Sequence, residues 1–168
     1  AAEMLDWHGS GMSVAISEET GEYGAVVVSG ANLTIDPAAI EGRWSNLWNT
    51  RLLLLQNEIP EAVSQRAAEL ARARAARIVL NAAPARQMSS DLLALIDVLI
   101  VNRVEAAMLS GEDDPLRALG ALHATTRDVV LTRGGEGLML VTRDGISRHI
   151  PALPVRLLSS HGAGDCFC

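Results

Sequence analysis

A run of small residues that ends in a carboxylate, Gly162-Ala163-Gly164-Asp165, carries the clearest chemistry in this sequence. Its first three residues have little or no side chain, so an anion can reach their backbone N–H groups. A helix beginning here would add unpaired N–H groups and the positive end of its dipole. Asp165 would then lie beside the bound anion as a base. Because phosphoryl transfer depends mostly on positioning and charge stabilisation, the segment predicts transfer of a phosphoryl group to a hydroxyl.

Polar residues also follow four apolar runs, at the points where buried strands would end: Gln56-Asn57-Glu58, Asn81, Asn102 and Thr132. In open α/β sheets, ligands bind outside the carboxyl ends of the strands. Taken singly, each of these residues has a structural explanation, since strand ends and helix caps favour the same residue types. Together with the glycine turn, they predict a ligand site at one edge of a sheet.

Two of these strand ends leave alternatives open. Asn102 and Glu105 have nearly the spacing of a helix capping box, but the same amide and carboxylate could hold a hydrated Mg²⁺. Thr132 begins a segment with three glycines, Thr132-Arg133-Gly134-Gly135-Glu136-Gly137. That segment either lets a ligand approach the backbone or forms an ordinary tight connection. Its spacing fits neither a Walker loop nor a dinucleotide-binding fingerprint.

The elements that must position these residues alternate between strands and helices. Alternating apolar residues over 12–17 and 24–29 predict a β-hairpin, and short apolar runs predict buried strands over 51–56, 77–81, 97–101 and 128–132. Helices are predicted over 36–48, 60–76, 89–95, 103–111 and 114–125, and shorter strands over 138–141, 146–150 and 155–158. This order predicts an α/β fold with a mostly parallel central sheet and right-handed crossovers.

The composition restricts the partners of the chain. Its 168 residues have a net charge of −6, which argues against a surface for nucleic acid or for an anionic membrane. No apolar run approaches the roughly 20 residues of a membrane span, and the first residues lack the pattern of a signal peptide. The two cysteines, Cys166 and Cys168, lie too close together in the sequence to form a disulfide framework. The expected absence of disulfides favours a location in the reducing cytoplasm. As a Cys-x-Cys pair, the two residues are only a weak indication of a metal site.

Three segments, in their order and separation, resemble the ribokinase-like (phosphofructokinase-B or carbohydrate kinase) family. Asn81-Ala82-Ala83-Pro84-Ala85-Arg86 is similar to the family's Asn-Pro-Ala-Pro-Ala-Arg stretch, and Asn102-Arg103-Val104-Glu105 matches its Asn-x-x-Glu motif. Gly162-Ala163-Gly164-Asp165 matches its anion hole and catalytic aspartate. The resemblance runs from about Gly11 to Cys168.

The resemblance implies a three-layer ribokinase-like fold with a small β lid. The lid-like ribbon and its lead-in would be residues 1–35, and the nucleotide- and substrate-binding core would be residues 36–168. The implied activity is that of an ATP-dependent sugar or nucleoside kinase. Asp165 would take the proton of the accepting hydroxyl, and the N–H groups of residues 162–165 would hold the transferring phosphoryl.

The resemblance also implies roles for the strand-end residues. Asn102 and Glu105 would organise Mg²⁺ and phosphate, mainly through water. Residues along the nucleotide would be Thr132, Gly134 and Gly137, and Glu58 would lie near the sugar.

Two departures from the family pattern modify these expectations. The family usually has Asp-Thr-x before its Gly-Ala-Gly-Asp, whereas Ser159-Ser160-His161 precede the glycines here. Ser159, at the substrate-binding position, is short and neutral, which weakens the expectation of the usual sugar contact and of K⁺ activation. His161 could contact substrate. The chain also covers little more than half of a family member, so we expect it to be incomplete at both ends, inactive alone and marginally stable; residues 1–8 match no part of the family.

These observations leave two functional hypotheses. The first is an ATP-dependent kinase for a hydroxyl of a small-molecule sugar or nucleoside. The alternative is a non-catalytic nucleotide- or sugar-binding protein, or an inactive kinase fragment. In either case the exposed edge of the ribbon gives a physical reason for a homodimer formed through the lid.

Overall fold

The computed structural model describes residues 6–17, 23–156, 160 and 162–168, which form a two-stranded ribbon and a six-stranded sheet. The ribbon pairs β1 (Met12–Ser17) antiparallel with β2 (Tyr23–Val28), and Ser13 lies opposite Val27. This confirms the hairpin predicted from the alternating residues. The polar loop between its strands lies outside the described residues.

The six-stranded sheet orders its strands as they occur in the chain, from β3 to β8. Neighbouring strands from β3 to β6 are parallel, and β7 and β8 are added antiparallel. The strands are β3 (Leu52–Gln56), β4 (Arg77–Asn81), β5 (Val98–Val101), β6 (Asp128–Thr132), β7 (Leu138–Val141) and β8 (Ser147–Ile150). Because four successive strands are parallel, their carboxyl ends meet at one edge of the sheet.

Within the described residues, the helices lie between the strands or after the last of them. They are α1 (Ile40–Arg43), α2 (Glu61–Arg72), α3 (Ser90–Leu95), α4 (Arg103–Ser110), α5 (Pro115–His123) and α6 (Ala163–Phe167). Short 3₁₀ turns span Gly30–Thr34 and Gly134–Glu136. Among these elements, none is a helix long and apolar enough to cross a membrane.

Local sequence signals set several helix ends. The side chains of Ser89 and Asp114 accept backbone N–H groups in the first turns of α3 and α5, which caps both helices. Gly111 follows α4 with a φ of 74°, the left-handed conformation that glycine adopts at little cost. These caps confirm the starts and ends predicted for these helices to within a few residues.

The hydrophobic core covers the parallel strands. Ile78, Leu80, Leu99, Val129 and Leu131 are each 0% exposed. Burying a branched side chain of this kind contributes about 1.5–3 kcal/mol. Helix α2 supplies an apolar face to the same cluster, which explains why its amphipathic sequence forms a helix there.

A buried carboxylate, Asp97, links several elements near the amino ends of the parallel strands. Its Oδ2 accepts the backbone N–H of Ile78 at 2.8 Å, and its Oδ1 accepts Arg72 Nη1 at 3.1 Å. Arg127 Nη1 lies 3.2 Å from the same Oδ1. Asp97 therefore joins β4, the end of α2 and the entry to β6, which fixes the strands whose other ends carry the candidate site.

The predicted helix over 36–48 is wrong in its extent. Asp36 Oδ1 accepts the N–H of Ala38 at 2.9 Å, which forms a turn instead of a helix cap, and α1 begins only at Ile40. Gly42 lies within this short helix, where glycine costs about 1 kcal/mol relative to alanine. The helix predicted over 60–76 ends early, at Arg72.

Two strand predictions also need correction. The run over 51–56 is a strand, but among the described strands β3 is the outermost of the sheet, and Leu52 and Leu54 are 53% and 50% exposed. An apolar run alone does not tell an edge strand from a central strand. The strand predicted over 155–158 is absent at Val155 and Arg156, and Leu157 and Leu158 lie outside the described residues.

Candidate active site

A cleft of about 520 Å³ opens where the carboxyl ends of the parallel strands meet. Its lining comes from the ribbon, from residues at or after the ends of β3 to β6, and from Gly162 and the helix α6 that begins directly after it. The cleft lies at the edge of the sheet at which the sequence predicts a ligand site.

The predicted strand-end residues come together in this cleft. Glu58, Asn81, Asn102 and Thr132 all line it. Asn81 and Thr132 are the last residues of β4 and β6, and Glu58 and Asn102 follow β3 and β5, so only the sheet order makes these four residues neighbours. The cleft therefore brings together amide, hydroxyl and carboxylate groups that lie far apart in the sequence.

Asn57 has a structural role instead. It is 4% exposed, and its Nδ2 donates to the carbonyl oxygens of Ala82 at 2.9 Å and Pro84 at 3.2 Å. Its backbone N–H also donates to the carbonyl of Ala83 at 2.8 Å. Asn57 thus fixes the loop after β4, and Ala83 and Pro84 of that loop line the cleft.

The glycine turn lies at the same cleft. Gly162 has a φ of 74°, and a side chain added at Gly162 or Gly164 would meet nothing within 4 Å, so their backbone faces open space. Both glycines line the cleft together with Asp165. The N–H of Ala163 donates to the carbonyl of Ser160 at 3.2 Å, so that predicted anion donor is already hydrogen-bonded in this conformation.

Asn102 and Glu105 form a complete capping box at the start of α4. The backbone N–H of Asn102 donates to Glu105 Oε2 at 2.7 Å, and Asn102 Nδ2 donates to Oε1 at 2.8 Å. Glu105 is 4% exposed, and its burial raises the pKa of its carboxyl, while the hydrogen bonds from Asn102 act in the opposite direction. The structural alternative for this pair is therefore realised, at the wall of the cleft.

The capping box limits how the pair could hold Mg²⁺. Both oxygens of Glu105 already accept hydrogen bonds from Asn102, and the described residues contain no group of three or more acidic, histidine or cysteine side chains placed to hold a metal. Mg²⁺ usually keeps several waters and is bound through one or two carboxylates together with the phosphates of the substrate. The residues present fit a water-mediated contact and not a dedicated metal cage.

Cys168 adds a thiol to the cleft close to two carboxylates. Cys168 is exposed, but the cleft wall removes part of the water around its thiol, which raises the pKa of the thiol, and the negative charges of Asp165 and Glu105 raise that pKa further. The side chain is therefore a neutral, weakly polar part of the lining near neutral pH.

A second cleft of about 450 Å³ adjoins the first. Thr132 and Asn102 line both clefts, so the two spaces meet at these residues. Gly134 and Gly135 line only the second, and a side chain added at either would meet nothing within 4 Å. An elongated ligand could therefore lie on bare backbone in the second cleft and reach into the first.

Gly137 has a different reason to be glycine. Its φ is 85°, and a Cβ there would lie 2.0 Å from the carbonyl oxygen of Ile150 and 2.7 Å from the nitrogen of Ala152. Close backbone packing against the end of β8 excludes any side chain at this position. Its predicted contact with a nucleotide stays a prediction.

Sequence reasoning did not single out the ribbon residues that line the cleft, namely Ser13, Ala25 and Val27. The ribbon register places Ser13 opposite Val27 and Ala15 opposite Ala25, on the face opposite to the larger Met12, Val14 and Ile16. The period-2 alternation of small and large residues was a signal for this face. The predicted substrate contacts Ser159 and His161 lie outside the described residues.

Several known proteins have sequences similar to this chain. The sequence profile of the family described as "pfkB family carbohydrate kinase" matches residues 3–168, which corrects the expectation that residues 3–8 match no part of the family. Ribokinase from Haemophilus influenzae is 31% identical over 164 residues, which cover 94% of this chain and 53% of that protein. Ribokinase from Staphylococcus aureus is 31% identical over 153 residues, 88% of this chain and 50% of that protein. The chain thus spans about half the length of these curated relatives.

The fold is also similar to solved structures. The chain superposes on the structure of Arabidopsis thaliana ribokinase complexed with ribose and ATP with a TM-score of 0.83 at 22% identity. The superposed part is 98% of this chain and 57% of the ribokinase chain. At this identity the likeness establishes the fold, which is ribokinase-like, as the sequence motifs predict.

Proposed function

Because the chain belongs to the pfkB family of carbohydrate kinases, we propose that it carries the phosphoryl-transfer site of an ATP-dependent kinase for a hydroxyl of a sugar or nucleoside. The observation that carries the proposal is one cleft lined by Asp165, the open backbone of Gly162 and Gly164, and the polar ends of four strands. A carboxylate beside an open, small-residue turn suits proton removal at a hydroxyl that attacks phosphorus.

In the proposed reaction, the acceptor hydroxyl lies in the first cleft, under the ribbon, with Asp165 as its base. As the hydroxyl oxygen attacks the γ-phosphorus of ATP, its proton passes to Asp165, the bond to the β-phosphate oxygen breaks, and ADP leaves. The backbone of the turn at residues 162–165 would stabilise the charge on the transferring group. Glu58 and Ser159 would contact the sugar.

The nucleotide would occupy the second cleft, along Thr132 and Gly134. Support for this placement is that both clefts share Asn102 and Thr132, so the terminal phosphate would reach the acceptor at that junction. Gly137 would shape the end of the nucleotide loop. When bound, Mg²⁺ would neutralise phosphate charge. Asn102 and Glu105 would contact its water shell, as their mutual hydrogen bonds require.

The ribbon favours a homodimer as the state in which the kinase acts. Its outer face presents Met12, Val14, Ile16, Val26 and Val28, which are 53–68% exposed. Burying apolar area at about 25 cal/mol per Å² would favour pairing of two such faces. The free thiols Cys166 and Cys168 are exposed, which suits the reducing cytoplasm as its location.

The test measures ADP formation from ATP with a panel of sugars and nucleosides, for this chain and for the full-length gene product. The panel includes ribose and deoxyribose, since the relatives include ribokinases and deoxyribokinases. We expect turnover from the full-length product and a matching amount of phosphorylated acceptor. Asp165→Asn should abolish most of it, while Asp113→Asn, at an exposed loop carboxylate, should not.

The competing proposal is a protein, or an inactive kinase fragment, that binds nucleotide or sugar without turnover. The observation that favours it is that the chain spans only about half the length of its relatives. Calorimetric binding without ADP formation by the full-length product, across the whole panel, would establish it and reject the kinase. For the 168-residue chain alone, we propose binding without turnover.

A further inference from the structure

Two arginines share one carboxylate at the second cleft. Glu136 pairs with Arg103 Nη2 through Oε1 and with Arg133 Nη2 through Oε2. Arg103 is the first residue of α4, whereas Glu136 ends the 3₁₀ turn between β6 and β7. The carboxylate therefore bridges two elements that face each other across the cleft.

The triad of Arg103, Arg133 and Glu136 carries a net positive charge where glycines leave the backbone of the second cleft uncovered. Two guanidinium groups and one carboxylate leave a net charge of +1, and Gly134 and Gly135 beside them face open space. Guanidinium has five N–H donors in a planar fork that suits phosphate oxygens. Glu136 occupies only one nitrogen of each fork.

Donors of Arg133 remain unmatched in the described structure. Its Nε is buried without a hydrogen-bond partner, and Nη1 has only the sulfur of Met139, at 3.7 Å. A buried donor left unpaired is costly, so a turn of this guanidinium toward an acceptor in the cleft would be favourable. Arg103 is half exposed, with 50% of its side chain accessible, so it can turn toward a ligand in the cleft.

The main chain of Glu136 is held independently of its carboxylate. Its carbonyl lies 2.9 Å from His149 Nε2 on β8, and its N–H donates to the carbonyl of Arg133 at 3.2 Å. The turn would therefore keep its shape if the carboxylate released either arginine. The ion pairs can open without unfolding the turn.

We propose that Arg103 and Arg133 bind the phosphates of the nucleotide, and that Glu136 is the counter-ion that neutralises the two arginines while the cleft holds no nucleotide. The inference rests on the proposed function, because the ligand is the nucleotide of that reaction. It adds two phosphate-binding residues and a carboxylate that competes with the phosphates for them.

The experiment compares the dissociation constants of adenosine, AMP and ADP for the full-length product, measured by calorimetry. The variants are Arg103→Ala and Glu136→Gln, with Arg148→Ala as a control that removes an exposed cation from neighbouring β8. Circular dichroism melts establish that each variant is folded. The number of phosphates is the variable, because a role in folding would affect all three ligands alike.

We expect Arg103→Ala to weaken ADP binding about tenfold, AMP binding less, and adenosine binding not at all, since charge-assisted hydrogen bonds to phosphate are lost. Glu136→Gln should strengthen ADP binding by about two- to fivefold, because the competing charge is gone. Arg148→Ala should leave all three dissociation constants within about twofold.

Equal losses for adenosine and ADP in Arg103→Ala, or weaker ADP binding in Glu136→Gln, would overturn the inference. If the wild-type protein binds ADP and Arg103→Ala binds it equally well, this inference is wrong and the proposed kinase stands. If the wild-type protein binds no nucleotide, the proposed function is refuted and this inference falls with it.

Discussion

Glu105→Gln is the substitution whose effect on stability the structure specifies best. Glu105 is 4% exposed, and both of its oxygens accept hydrogen bonds from Asn102, at 2.7 and 2.8 Å. Burial raises the pKa of its carboxyl, and the hydrogen bonds from Asn102 oppose that shift without cancelling it. The folded protein therefore holds the proton of Glu105 more tightly than the unfolded chain does.

The sign of the pH dependence follows from this difference. Above the unfolded pKa, about 4.3, and up to the raised folded pKa, the folded state binds more protons, so the free energy of unfolding falls as the pH rises. Each unit by which the folded pKa exceeds the unfolded one removes about 1.4 kcal/mol from stability above both values. Glutamine resembles the protonated acid and has no proton to lose.

We therefore expect the stability of Glu105→Gln relative to the wild type to rise between about pH 4 and about pH 8, by an amount on the order of 1 kcal/mol, because only the wild type loses a buried proton over this range. Glutamine also replaces one acceptor of the capping box by a buried NH₂ group that faces a donor of Asn102, and this cost does not vary with pH.

The measurement is urea unfolding of both proteins at several pH values between these limits. Asp113→Asn, at an exposed carboxylate, serves as the matched control for a lost negative charge. A difference between Glu105→Gln and wild type that does not change with pH, or a wild type that gains on the variant as the pH rises, would refute the reasoning.

Three further predictions concern the site and the scaffold. Asp165→Asn should lower the turnover of the full-length product by about 10²- to 10⁴-fold, the usual effect of losing a positioned base, with little change in ADP affinity. Single-turnover and binding assays measure the two effects, and undiminished turnover would contradict the prediction. Asp97→Ala should destabilise by about 3 kcal/mol in urea, because a buried backbone N–H and Arg72 lose their acceptor; a loss under 1 kcal/mol would mean that water replaces it. Gly111→Ala should lower the stability of the fold by about 1 kcal/mol, because the φ of Gly111 is 74°. Gly120→Ala, in the exposed middle of α5, should raise the stability by about 0.5–1 kcal/mol. Thermal unfolding in which both substitutions shift the melting temperature in the same direction would contradict this.

The elements themselves were largely predictable from short stretches of sequence. Nearby residues in the sequence determine the positions of the hairpin and of the individual strands. They also determine the helix caps at Ser89 and Asp114 and the end of α4 at Gly111. The failure over 36–48 has the same local origin, since Asp36 can form a turn as well as a cap, and the choice depends on energies of about 1 kcal/mol.

The position of β3 was not predictable in this way. Arg51-Leu52-Leu53-Leu54-Leu55 has the apolar character of a central strand, yet among the described strands β3 is the outermost of the sheet. Burial of a strand depends on which other strands pair with it, and that is a property of the sheet order.

The amino-acid sequence alone supplied the groups that are available for chemistry. They are the small residues that end in Asp165, the amides and the hydroxyl at the strand ends, and the pairing of Asn102 with Glu105. Which of these groups lie in one cleft depends on how distant segments of the chain pack together. Parallel pairing brought residues from four strand ends to one cleft, separated Asn57 from them, and set Arg103 opposite Glu136. The physical reason is that composition and local propensity act over a few residues, whereas a site depends on contacts between distant segments, whose distances are set by strand order and by the packing of the core.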